Sequence, residues 1–270
     1  MEAARTHGPS RPEPLQLLAR KERQAHNFYQ IATGARAEME CSKSTVYLLK
    51  KIYQPGMTVA DVGCGAGHYL RSFQRNLDSG INYFGIDAGQ PHIKMARRAF
   101  GDTPFLCGDI RKLPIGDNSF DIVFCNNVIT ALPPPPGDAF KELIRISRQW
   151  IVVRLIVGTA NYIVKVFPEN LPPGMNATDY IRDQAYSTYR NIYSEAYIAE
   201  MIEAADPVAA FNITADRQFG DFNQDNPDPN ATRVVNGMQI AGNLVIDQRY
   251  VVIQKAGHAG SEWLTTGGNQ

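Results

Sequence analysis

Between residues 58 and 155 the chain alternates short apolar runs with segments of helical spacing, and this alternation limits the folds open to it. The apolar runs are Thr58–Val62, Tyr83–Ile86, Pro104–Cys107, Phe120–Cys125 and Trp150–Leu155. Helical segments are expected over about 68–77, 91–99 and 138–147. Strands alternating with helices imply a mainly parallel sheet with helices on both faces, because parallel neighbours need a crossover connection. The fold class expected is therefore α/β, Rossmann-like and doubly wound, with a seven-stranded sheet.

The flanks set the domain plan. Residues 1–14 carry Pro9, Pro12 and Pro14 and read as a disordered tail. Residues 15–256 read as one domain, and 257–270 as a second disordered tail. Within the domain, 15–52 reads as N-terminal helices with a break at Gly34, and 53–158 as the ligand-binding core. A Pro- and Tyr-rich stretch, 159–205, reads as an inserted substrate cap ending in a helix over Ser194–Ala205. Residues 206–256 supply two last strands, Ala209–Phe219 and Leu244–Gln254, antiparallel to each other. The Asn-, Asp- and Pro-rich stretch Gly220–Thr232 between them reads as a loop.

Composition excludes several classes. Lys+Arg and Asp+Glu both total 27, so formal net charge is zero. That argues against a DNA-gripping protein, since phosphate neutralisation needs a clustered cationic excess. The longest apolar run, Trp150–Gly158, is too short to span a bilayer and contains Arg154. The four cysteines (Cys41, Cys64, Cys107 and Cys125) have neither CxxC nor zinc spacing, and read as small core residues. A soluble, cytoplasmic, metal-independent protein with reduced thiols is expected.

Four signals fall at the carboxyl ends of the first four strands, where open α/β sheets bind ligands. The first is Asp61-x-Gly63-x-Gly65-x-Gly67, where missing Cβ atoms let backbone turn sharply and approach a ligand. The second is Asp87, 20 residues after Gly67, which suits a carboxylate accepting from ribose hydroxyls. Gly108-Asp109-Ile110 follows the third strand: Asp109 can accept from an exocyclic amine while Ile110 packs on a purine face. Cys125-Asn126-Asn127 follows the fourth. The glycine spacing is not the G-x-G-x-x-G of dinucleotide enzymes, and no Walker lysine follows. Asp61 would repel pyrophosphate and suits an ammonium or sulfonium group. The set describes an adenosine ligand carrying positive charge.

With these residues in place, the chain resembles the class I S-adenosylmethionine-dependent methyltransferases. The matching stretches are VADVGCGAGHYL (59–70), YFGIDAG (83–89), FLCGDIRKLP (105–114), FDIVFCNNVITALP (120–133) and FKELIRIS (140–147). By resemblance, Gly63 and Gly65 would approach the methionyl part of the cofactor. Asp87 would hold the ribose, Asp109 and Ile110 the adenine, and the Asn126 backbone the amino-acid end; Gly67 and Ala88 are further cofactor-binding candidates. An aromatic from the N-terminal helices would cover the cofactor, with Tyr29 as candidate. The chain departs from the family's PGG turn, reading Ser147-Arg148-Gln149-Trp150 there.

A sulfonium methyl group is already activated. Alignment and exclusion of water are then the main tasks, contributing roughly 7–11 kcal/mol, while a general base adds about 10²–10⁴-fold. His68 and His26 are the candidate bases. Tyr186, Tyr189 and Tyr193 are candidate substrate contacts, though Tyr189, Tyr193 and Tyr197 also have the spacing of core packing on a helix. The expected acceptor is a small molecule, with a hydroxyl of a sugar or natural-product intermediate leading. A tRNA or protein acceptor, and a non-catalytic cofactor-binding scaffold, remain the alternatives.

Overall fold

A computed structural model of the chain describes residues 15–166, 176–182, 188–216, 232–235, 238–241 and 244–255. The first half runs α1 (Leu15–Thr33), α2 (Glu40–Leu49), β1 (Thr58–Val62), α3 (His68–Asn76), β2 (Asn82–Asp87), α4 (Gln90–Phe100), β3 (Phe105–Cys107) and β4 (Phe120–Asn126). It continues with α5 (Gly137–Ile146), β5 (Ser147–Gly158), β6 (Lys165–Val166), α6 (Ala177–Arg182), β7 (Thr188–Tyr189), β8 (Tyr193–Ser194) and α7 (Glu195–Ala205). The last strands are β9 (Ala210–Ala215), β10 (Thr232–Val235), β11 (Met238–Ala241), β12 (Leu244–Ile246) and β13 (Gln248–Gln254). The expected tails, 1–14 and 257–270, lie outside the described residues.

The main sheet has the order β3-β2-β1-β4-β5-β13-β9, with β8 pairing β5 off this path. Strands β3 to β5 are mutually parallel, while β13 runs antiparallel to both β5 and β9. The chain reverses direction across the sheet between β1 and β4, so the topological switch point lies there.

Alternation along the strands builds two cores. Ala60, Val62, Val123, Cys125, Ile151 and Val153 face the layer holding α5 and α7. Val59, Ile122, Phe124 and Val152 face the opposite layer of α2, α3 and α4. In that layer Phe73 meets Phe124, Tyr69 and Tyr83 at ring-centroid distances of 5.1, 6.1 and 6.4 Å. The buried cysteines Cys64 and Cys125 pack in these cores, and Cys41 and Cys107 are half-buried.

Four expectations are corrected. The helix ending the 159–205 stretch is no part of a cap. Ile198, Met201 and Ile202 recur at i, i+3 and i+4 and bury beside α5, so α7 is a core helix. The apolar run 244–254 splits at Asp247, whose carbonyl accepts from Val157. Its first half, β12, leaves the main sheet and joins β10 and β11 in a three-stranded antiparallel sheet, which also places a strand start at Thr232, the expected loop's last residue. The sheet strand beginning at 210 ends at Ala215, and 217–219 lie outside the described residues. Finally, no turn separates α5 from β5: Ser147 follows Ile146 directly, and a register shift between Phe120 and Ile122 absorbs the tight junction.

No helix among the described residues is long and apolar enough to cross a membrane. Phe73→Ala should destabilise the fold by about 3–5 kcal/mol, because it removes a fully buried ring from an aromatic cluster. Urea denaturation followed by circular dichroism measures this, with a smaller loss expected for Phe73→Leu.

Candidate functional site

The loop after β1 folds back on the end of β2. Gly63 and Cys64 N–H groups both donate to the Ile86 carbonyl, at 2.7 and 2.9 Å. Gly63 and Gly65 take φ of +89° and +55°, a left-handed backbone that side chains disfavour. Space is equally tight: a Cβ on Gly63 would lie 2.0 Å from Val128 Cγ2, and one on Gly65 2.9 Å from the Phe28 ring.

Asp87 ties this loop to the next one. Its Oδ2 accepts from Gly65 N–H at 2.9 Å, and its Oδ1 from Gly89 N–H at 2.7 Å. His92 Nδ1 lies 3.1 Å from the same Oδ1. Burial pushes the carboxyl pKa up, but His92 and the two amides outweigh it, so the group lies below its usual range. Asp87 is therefore an ionised clamp between the loops after β1 and β2, beside the switch point.

Other candidates sit in varied places. Ala88 is exposed beside Asp87. Asp109 is half-exposed and gripped by Arg111, whose Nη2 donates to Oδ2 at 2.6 Å and whose backbone N–H donates to Oδ1 at 3.0 Å. Arg111, against partial burial, holds its carboxyl below the usual range. Gly67 opens α3 with φ +77°. Asn126 is buried at the end of β4 and donates to Thr45 Oγ1 at 2.8 Å.

Several residues stand elsewhere than expected. Asp61 points with Val59 into the helical layer, where Tyr83 donates to its Oδ2 at 2.6 Å. Burial drives its carboxyl well above the usual range, against the Tyr83 bond and helped by Asp87, so it does not present a free carboxylate to a cation. Ile110 belongs to the core with Leu113 and Ile86. Tyr29 lies under the Arg98 guanidinium, 5.1 Å from its ring centre, and Phe28 is the aromatic on Gly65. One residue of offset along α1 rotates a side chain by about 100°, which decides between the two. His26 is exposed and stacks on Tyr29 at 6.4 Å, away from the loop. Tyr193 is 1% exposed in the α5–α7 core, its hydroxyl accepting from Asn191, and Tyr189 is buried in β7. Tyr186 lies outside the described residues.

His68 is 4% exposed and stacks on Phe28 with centroids 4.7 Å apart. Its Nδ1 has no partner among the described residues. Burial first, and His92 second, lower its pKa to about 3, so the ring is neutral. A neutral imidazole with this pKa is a poor general base at pH 7.

Beyond β4 and β5 lies a buried polar cluster that sequence reading missed. Arg154 Nε donates to Asp216 Oδ2 at 2.6 Å, its Nη1 to Asn127 Oδ1 at 2.7 Å, and its Nη2 to Gln248 Oε1. Burial works against the guanidinium charge, but Cys41, Tyr250 and Asp216 around it more than compensate, and Arg154 stays protonated. Asn127 has φ +62°, a strained conformation for a residue with a side chain, stabilised by this bonding. The signal available in sequence was a lone arginine inside an apolar strand. Asn126 Oδ1 is buried and lacks a partner among the described residues. The described residues contain no group of three or more His, Cys, Asp or Glu able to hold a metal ion.

Two outcomes follow from these environments. The native His68 pKa of about 3 lies below the unfolded value of ~6.5, so only the unfolded chain takes up its proton between them. Stability should fall as pH drops from ~6.5 toward 3, by up to ~1.4 kcal/mol per pH unit from this group. Thermal melts of His68→Gln should show a flatter pH dependence there than the parent chain. Asp216→Ala strands a buried guanidinium and should cost about 3–5 kcal/mol in urea denaturation.

Comparison with known proteins agrees with this architecture. Residues 60–149 match the family model described as a methyltransferase domain. Sterol 24-C-methyltransferase ERG6B of Gibberella zeae is 30% identical over 130 residues, covering 46% of this chain and 34% of that protein. Demethylmenaquinone methyltransferase of Renibacterium salmoninarum is 29% identical over 153 residues, covering 56% of this chain and 60% of that protein. The chain therefore spans less than two thirds of either relative. The solved structure of a Burkholderia thailandensis 1,6-didemethyltoxoflavin-N1-methyltransferase, with 1,6-didemethyltoxoflavin and S-adenosylhomocysteine bound, superposes with a TM-score of 0.52 at 13% identity. That match covers 92% of this chain and 93% of the other. Residues 60–149 thus match a methyltransferase domain, and the chain shares the Rossmann-like fold of this solved methyltransferase.

Proposed function

We propose that the chain transfers the methyl group of S-adenosylmethionine to a small-molecule acceptor. The observation that carries this reading is the ionised Asp87 clamp, which fixes the glycine loop after β1 to the end of β2 along one wall of the switch-point crevice. The crevice suits the cofactor's nucleoside on two further counts. Gly63 and Gly65 offer backbone without Cβ atoms, and Phe28 supplies an aromatic face above Gly65. Beyond the two amides and His92, Asp87 keeps one lone pair on Oδ2, so it can also accept from a ribose hydroxyl. Asp109, half-exposed after β3, can accept from the adenine amine on the oxygen edge that Arg111 leaves to solvent.

When bound, S-adenosylmethionine supplies an activated methyl group. The chain's own task is then orientation and exclusion of water. The polar cluster beyond β4 and β5 is the proposed acceptor side. Its partnerless buried acceptor, Asn126 Oδ1, suits a donor such as a hydroxyl, and the charged Arg154 holds Asp216 and Asn127 in place. Oxygen methylation of a sugar or natural-product intermediate remains the leading reaction. The named relatives act on sterol and demethylmenaquinone, small molecules in both cases. Zero net charge agrees with an uncharged or small acceptor in preference to a polyanion.

Calorimetric titration with S-adenosylhomocysteine tests the cofactor reading. The parent chain should bind, and Asp87→Ala should bind at least 100-fold more weakly with its circular dichroism retained, since charge-assisted hydrogen bonds contribute ~1.5–3 kcal/mol each. Equal affinity in the two proteins would refute the role. Labelled cofactor incubated with a metabolite extract should then yield a low-molecular-weight methylated product.

A further inference from the structure

We propose that the cavity between the α1–α2 connector and the outer side of α3 is an oxyanion site, accepting a phosphate or carboxylate group. The cavity measures about 240 Å³ and is lined by Arg36, Glu38, His68, Arg71, Ser72 and Arg75, with Gly34 at its edge. That is below the ~300 Å³ lower end of whole-ligand pockets, so it suits one group of a ligand, or a small free anion.

The spacing on α3 produces the lining. His68, Arg71, Ser72 and Arg75 stand at i, i+3, i+4 and i+7, which is one helix face, while Tyr69, Leu70 and Phe73 bury toward the sheet. The connector brings Arg36 and Glu38 against that face. Three guanidinium groups and one carboxylate leave the cavity with an excess of two positive charges. No guanidinium of the three bonds or pairs with a described residue, whereas those of Arg111, Arg145, Arg154 and Arg249 each hold a carboxylate. Guanidinium forks match phosphate and carboxylate oxygens in bidentate geometry.

Two features show that the cavity is shaped from within. Gly34 has φ +81°, and a Cβ there would lie 2.3 Å from Arg71 Nη2 and 2.6 Å from its Cζ. Only glycine permits both this turn and the Arg71 position. Second, His68 is almost wholly buried, lines the cavity and has an Nδ1 with no described partner. In the tautomer that protonates Nδ1 it donates to an oxyanion. Asp87, Gly63, Gly65 and Asp109 do not line this cavity, so it is distinct from the proposed cofactor crevice. The anion can be free, or can be carried on the acceptor; in the second case the inference also rests on the methyl-transfer reading.

Inorganic phosphate is the probe, titrated into the full chain at constant ionic strength and followed by thermal shift and calorimetry. Saturable binding is expected, weakened at least 10-fold in Arg71→Gln and in Arg36→Gln and unchanged in Arg23→Gln, an exposed arginine of α1 away from the cavity. Phosphate titration uses no cofactor, so this test can succeed or fail independently of cofactor binding. Absence of saturable binding, equal binding by Arg71→Gln, or competition between phosphate and S-adenosylhomocysteine would each overturn the proposal. A labelled product from metabolite extract that is retained on an anion-exchange resin, and lost with Arg71→Gln, assigns the anion to the acceptor. A neutral product whose rate responds to added phosphate in the parent chain alone assigns it to a free ligand.

Discussion

The structure depends on one carboxylate. Asp87 ends β2, one strand from the point where the sheet reverses direction, and two backbone N–H groups from separate loops converge on it. Left without that acceptor, Gly65 and Gly89 would present donors at a crevice floor with no strand to pair them. The charge that satisfies them must itself be taken partly out of water. Charge-assisted bonds from the amides and His92 more than offset this, as the lowered pKa records. Loop position, crevice width and local electrostatics are therefore set together, and a neutral residue at 87 would disturb all three.

Polar chemistry collects at one end of this sheet because the strands leave it no other place. Along β1, β4 and β5 the side chains alternate into two apolar layers, so buried charge is costly except where strands end. Arg154 illustrates the exception. It sits late in a twelve-residue strand, and its guanidinium finds three partners: the residue after β4, the first residue of β13 and the residue after β9. Those partners come from three separate parts of the chain, so the cluster also fixes where the antiparallel strands lie relative to the parallel ones. Asn127, held in a left-handed conformation, turns the chain away from the strand while presenting its amide oxygen back to Arg154.

Local patterns in the sequence were enough to read the parallel half of the fold and its glycine loop. Strand ends, helix starts and the Gly63–Gly67 turn all follow from near-neighbour chemistry: period, capping and the absence of Cβ atoms. What escaped reading depends on distant partners. Whether residue 28 or 29 faces Gly65 is set by how α1 docks on α3 and α4, and periodicity alone does not give that rotation. Asp61 looked like a cation's partner because it precedes glycines, yet the phase of β1 aims it at Tyr83 on the neighbouring strand. Ile110 and Tyr193 are apolar or amphipathic and fit a binding description and a core description equally in sequence; the fold places both in the core cluster. The Arg154 cluster spans 62 residues from Arg154 to Asp216, so no local window shows it.

Zero net charge hides a marked separation of sign. Carboxylates gather at the ends of β2 and β3, while on the far side of the glycine loop three arginines share one face of α3 and its connector. Screening at physiological salt extends only ~8 Å, so such groups act on what lies beside them and not as a summed field. His68 stands between the two zones, at the start of α3, and burial keeps it neutral. A charged imidazole there would offset Asp87 on one side and add a fourth cation to the three guanidinium groups on the other. Its neutrality lets a positively charged nucleoside and a negatively charged group lie on either side of a single helix turn without either field cancelling the other.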